Sequence, residues 1–129
     1  VISATIKGRP VPWARAKRGK NGKSYTPAKQ KAHREMLAWE IKAAAGKIKK
    51  LTPPIEVHLD FNYGRSETVV MIYSKEDGEL DYDDRWPRGG RTKRPDIDNL
   101  AKQILEALEL SGIIGDDAEV AFLSARKVE

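Results

Sequence analysis

Residues 55–63, Ile-Glu-Val-His-Leu-Asp-Phe-Asn-Tyr, alternate apolar and polar side chains without a break. A period of two puts Ile55, Val57, Leu59, Phe61 and Tyr63 on one face of an extended strand, and Glu56, His58, Asp60 and Asn62 on the other. Such a strand has one face to bury and one to leave wet, so it needs neighbouring strands and a helical layer over its apolar side. Ile2, Ala4 and Ile6 alternate in the same way and predict an opening strand that ends at Gly8. Short strands are also expected over 69–73 and 120–128.

Two segments carry helical spacing instead. Thr26 followed by Pro27 is an N-cap with proline at the first helical position, and predicts a helix from 27 to about 45 that Gly46 ends. Ala32, Met36, Trp39 and Ala43, at spacings of four, three and four, are the expected core face, with Leu37, Ile41 and Ala44 beside them. Lys29, Lys31, Arg34 and Lys42 fall on the wet face, and His33 is expected at the surface. Ile97, Leu100, Ala101, Ile104, Leu105 and Leu108 predict a second helix over about 98–110, stopped by Gly112 and Gly115. The fold expected is α+β: a single domain whose mixed or largely antiparallel sheet of about four strands packs against two helices.

A chain of 129 residues can build one core without staples. It has no cysteine, which excludes disulfides and thiolate metal sites and fits a reducing cytoplasm. No run of 18 apolar residues and no charged-then-apolar leader is present, so neither a membrane span nor a secretion signal is expected.

Charge is distributed unevenly. Residues 1–50 hold 14 Lys or Arg against 2 acids, and the remainder hold 10 against 17, for a net charge of +5. Cations that hold a polyanion, joined to carboxylates that hold a metal, are what a nuclease requires. The basic half contains a Pro-, Gly- and Lys-rich loop, 9–27, in which Arg9, Arg15, Lys17, Arg18, Lys20 and Lys23 can follow a phosphate backbone. Trp13 in that loop can stack on a base or anchor the loop. A second basic connection, 46–54, contains Lys47, Lys49 and Lys50. Residues 74–93 lose all periodicity and read as an exposed charged loop leading to Arg94.

The acidic half has its own focus at 94–120. Asp96 and Asp98 flank the start of the second helix, Lys102 sits one turn beyond Asp98, and Asp116 and Asp117 open the next apolar run. A helix cap needs one carboxylate, whereas this stretch supplies two before the helix and two after it. Oxygen ligands alone favour Mg²⁺ or Mn²⁺ over Zn²⁺, and a carboxylate-held Mg²⁺ usually serves phosphate chemistry. Lys102 can hold the scissile phosphate or offset its developing charge. Either Asp116 or Asp117 can complete the ligand set, and Glu119 is a further candidate.

Arg94-Pro-Asp-Ile-Asp-Asn-Leu-x-Lys102, the helix that follows and Asp116-Asp117-Ala-x-Val120 resemble the signature of the RusA family of Holliday junction resolvases. The resemblance covers about 27 residues densely and the rest in outline, including the N-terminal loop closed by Tyr-Thr-Pro. It implies a homodimeric, Mg²⁺-dependent endodeoxyribonuclease that cuts four-way DNA junctions in recombination and repair, often encoded by prophages. It also implies that the three catalytic aspartates are Asp96, Asp98 and Asp117 and that the helix lysine is Lys102. The return of the chain after the Gly112–Gly115 turn is itself expected to bring the second acidic pair back near the first, closing the site within the chain. Family members usually continue past the last strand, so the sheet edge or dimer surface is expected to be incomplete. Two other readings remain: a catalytically silent DNA-binding module, and a Mg²⁺-dependent nuclease for flaps or other branched DNA.

Overall fold

The computed structural model describes residues 1–11, 17–18, 24–25, 28–77 and 95–129. The elements, in chain order, are β1 (Ile2–Lys7), β2 (Lys17–Arg18), β3 (Ser24–Tyr25), α1 (Ala28–Ala45), β4 (Ile55–Asn62), β5 (Glu67–Tyr73), α2 (Ile97–Ser111) and β6 (Val120–Val128). Strands β1, β5, β4 and β6 form one sheet in that order, and β2 pairs with β3 in a separate ladder. β5 runs antiparallel to both β1 and β4, while β6 runs parallel to β4, so the sheet is mixed. The α+β architecture expected from the periodicities is the one observed.

Side-chain alternation explains why this sheet carries helices on one face. Val57, Leu59 and Phe61 of β4, Val70 and Ile72 of β5, and Ile2 and Ile6 of β1 are all buried in one core with the helices. The opposite face of β4 carries Glu56, His58 and Asp60, each partly exposed. His58 Nδ1 lies 2.7 Å from the Ser124 hydroxyl across the β4–β6 pairing, and Arg126 pairs with Asp60 one step along. Polar cross-strand partners of this kind hold the edge strand β6 in register.

Helix α2 buries Leu100, Ala101, Ile104, Ala107 and Leu108, as its spacing requires. Helix α1 does not bury the stripe expected of it. Leu37, Ala38, Ile41 and Ala45 face the core, whereas Trp39 is 72% exposed and Met36 37%. Both stripes satisfy the three-and-four spacing, so periodicity cannot choose between them. α1 must pack on β1 and α2 at once, and it is the compact aliphatic side chains that fit between them. His33, expected at the surface, is half-buried, and burial lowers the pKa of its imidazole. The expected Thr26–Pro27 cap lies outside the described residues. No helix among the described residues is long and apolar enough to cross a membrane.

Candidate functional site: carboxylates at both ends of one helix

Asp96 is the N-cap residue of α2, extended at φ −68° and ψ 141°. Its carbonyl accepts the Leu100 N–H at 3.2 Å, yet its carboxylate makes no capping hydrogen bond. The ordinary structural use of an N-cap acid is therefore not taken up here. Asp98 stands in the first turn, and both carboxylates are exposed. The exposed Lys102 follows one turn later. Lys127 of β6 donates to the Pro95 carbonyl at 2.9 Å and so ties this end of α2 to the last strand.

The second acidic group forms at the other end. Gly112, at φ 80°, takes the left-handed C-cap position and donates to the Glu109 carbonyl at 3.0 Å. Buried Ile113 and Ile114 then pin the chain down, and Asp116 caps a single 3-10 turn, Asp117–Glu119, by accepting the Ala118 N–H at 2.8 Å. The Asp117 N–H donates to Glu109 Oε1 at 2.7 Å. Carboxylate oxygens of Glu109, Asp116 and Asp117 lie within 4.8 Å of one another, a spacing that one cation can bridge. Glu119 turns away, accepting from the Gly115 N–H at 3.0 Å with Lys50 at 4.0 Å.

Within one chain these two groups do not meet. A helix rises about 1.5 Å per residue, so Asp98 and Glu109 stand roughly 16 Å apart along α2. The sequence-based expectation that Asp117 closes a site with Asp96 and Asp98 inside one protomer is corrected on this ground: a rigid helix separates them. Glu109, which sequence reasoning did not single out, takes the place beside Asp117. Its signal was present, since it falls seven residues after Lys102 on the same helix face.

Crowding sets the protonation of the second group. A hydrogen bond from Asp117 to the Asp116 carboxylate, then desolvation and the charge of Glu109, raise the Asp117 pKa. The Ala118 N–H, followed by that shared hydrogen bond, lowers the pKa of Asp116. For a raised pKa, folding favours the protonated form, so the stability contributed by Asp117 is full below its ordinary value and lost as pH rises through its folded value. For Asp116 the sign reverses, and stability is lost as pH falls through its lowered value. In EDTA the protein is therefore expected to melt higher as pH falls through the raised Asp117 value toward the ordinary carboxylate range. Asp117→Asn, whose amide keeps the donor at every pH, is expected to abolish that rise and to melt above the wild type at neutral pH. Melting temperature against pH for the two proteins checks this, and a constant difference between the curves would contradict it.

Of the residues expected to contact DNA, Arg9 is exposed, with its guanidinium 5.0 Å from the centre of the Tyr63 ring. Trp13, Arg15, Lys20, Lys23 and Arg94 lie outside the described residues. Lys17 and Arg18 form β2, where the backbone alone is described.

All donors at both ends of α2 are carboxylate oxygens, the donor chemistry of a hard divalent cation rather than of zinc or copper. A mixed α+β domain with two such acidic groups has donors that an oxygen-held divalent metal would fit. The family model described as endodeoxyribonuclease RusA matches residues 7–129, nearly the whole chain, and the protein belongs to that family. Membership implies endonuclease action on DNA, Holliday junction resolution and dependence on a divalent metal. No curated protein matches the chain.

Proposed function

We propose that the protein resolves four-way DNA junctions by Mg²⁺-dependent phosphodiester hydrolysis, in recombination and repair in the cytoplasm, with Mn²⁺ able to substitute. The observation that carries the proposal is the placement of two carboxylate groups at opposite ends of one helix, Asp96 and Asp98 at its start and Glu109, Asp116 and Asp117 at its end, with the Asp96 carboxylate taking no part in its cap. In a two-fold dimer with α2 beside its partner in antiparallel orientation, Asp96 and Asp98 meet Asp117 of the partner subunit, and the arrangement repeats at the other end. Antiparallel helices also place each partially positive N-terminus beside a partially negative C-terminus. Ile97 and Leu110 on α2 and Leu123 on β6 are exposed, and offer a second copy apolar surface to cover.

In that arrangement Asp96, Asp98 and Asp117 would hold the ion, and Glu109 and Asp116, whose carboxylates neighbour Asp117, would add negative charge beside it. A bound divalent ion supplies Lewis acidity toward the phosphate oxygens and lowers the pKa of water. Lys102 faces the phosphate from the next turn of α2 and neutralises charge that develops on its oxygens. Arg9, Trp13, Arg15, Lys17, Arg18, Lys20, Lys23 and Arg94 contact the DNA arms. Junction preference comes from the dimer, since two sites related by a two-fold axis match a two-fold junction and the carboxylates alone do not discriminate between substrates.

Cleavage of labelled synthetic four-way junction, flap and linear duplex tests this. The junction is expected to be cut in Mg²⁺, not in EDTA, and at least tenfold faster than duplex. Equal rates on flap and junction would favour the general branched-DNA nuclease, and binding without cutting in any divalent metal the silent DNA-binding module.

A further inference from the structure

The second basic connection of the sequence has a place in the fold that the site described above does not use. Lys42 in the last turn of α1, and Lys47 and Lys49 just beyond Gly46, line a concavity of about 570 Å³ at the C-terminal ends of α1 and α2. Ile48, Ile113 and Ser111 line it as well. The Ser111 hydroxyl is already committed, donating to the Leu108 carbonyl at 2.6 Å and accepting from the Ile113 N–H at 3.3 Å. All three lysines are exposed, and none lies within ion-pair distance of a carboxylate among the described residues. Three ammonium groups around an open hollow are what it offers a ligand.

We infer that this concavity binds phosphate groups of a nucleic-acid backbone beside the Asp117 end of α2. The inference rests on the DNA reading proposed above and extends it to one further surface. Adjacency supports it: Lys50 reaches Glu119 at 4.0 Å, and a side chain at Gly115 would meet Lys50 Nζ at 3.0 Å, so the turn after α1 lies against the acidic 115–119 segment. A DNA strand drawn toward Glu109, Asp116 and Asp117 is repelled by them, and cations at the shoulder of the acidic group offset that repulsion. A free phosphate is the other source of the same chemistry. It is best held by convergent N–H groups at a helix N-terminus. Here both helices present their carbonyl ends, which disfavour a single anion, and a polyanion that spreads several phosphates over three flexible lysines suits the surface better.

Binding of the full-length protein to a labelled synthetic four-way junction, in EDTA from 50 to 200 mM salt, tests the assignment. Lys42→Gln/Lys47→Gln/Lys49→Gln is expected to flatten the plot of log affinity against log salt by about 0.9 for each lost contact. If all three contacts are lost, the advantage of the wild type over the variant shrinks roughly 40-fold across that range. The single change Lys47→Gln is expected to flatten the slope more than Arg65→Gln, a control at the far turn between β4 and β5. An unchanged slope in a folded triple variant overturns the inference. So does a lower melting temperature with an unchanged slope, which would assign the lysines to helix C-terminal electrostatics. Inorganic phosphate that binds at the lysines while the DNA slope stays unchanged overturns the nucleic-acid assignment as well. A wild-type protein that binds no junction removes the proposed function itself, whereas normal wild-type binding with an insensitive variant removes this site alone.

Discussion

Mixing Asp98→Asn protein with Asp117→Asn protein is expected to restore junction nicking that neither shows alone. Each change removes a carboxylate proposed to hold the ion, and metal-centred charge stabilisation is worth several kcal/mol, so each single variant should lose at least about a hundredfold in rate. Roughly 16 Å of helix separates the two positions in one chain. If Asp98 of one protomer works with Asp117 of the partner subunit, a mixed dimer contains one site with both changes and one with neither. Random reassortment makes half of the dimers mixed, which leaves about a quarter of the wild-type sites intact. If instead each site lies within one protomer, every site in the mixture carries one change and no nicking returns. The measurement is nicking of a labelled junction in Mg²⁺ after the two variants are unfolded and refolded together. Junction binding is expected to survive in both variants, and its loss would mark the aspartates as structural.

The largest effect on stability is expected from Ile41→Ala, at about 2–5 kcal/mol. Ile41 is fully buried in α1, and its truncation removes aliphatic surface and leaves a cavity between two helices and a sheet. A domain of this size is typically stable by only about 5–15 kcal/mol, so the change takes a large share of the total. Trp39→Ala removes a larger side chain two residues away and is expected to cost less than about 0.5 kcal/mol, because that ring is 72% exposed. Urea unfolding of the two variants compares them directly. The opposite order would mean that the Ala32, Met36, Trp39 and Ala43 stripe faces the core after all.

That pair of residues shows where pattern stops being informative. β4 was legible because a period of two has a single apolar face, and Ile55, Val57, Leu59 and Phe61 are all buried. α2 was legible because one stripe carries nearly all of its large aliphatics. α1 presents two overlapping stripes, and the choice between them depends on β1 and α2, which lie far away in sequence. At the site, Asp96 and Asp98 were readable as a pair at a helix start, and Asp116 and Asp117 as a pair after its end. Glu109 was hidden in the polar stripe of α2 until the 3-10 turn folded back and presented the Asp117 N–H to it.

The amino-acid sequence by itself determined the kinds of element, the chemistry of the donors and the family, because period, residue type and short-range spacing are local properties. The tertiary structure alone decided which carboxylates are neighbours. Residues close in sequence can be held far apart by a stiff helix between them, and only the path of the chain after Gly112 shows that Asp117 returns to the end of α2 opposite Asp98.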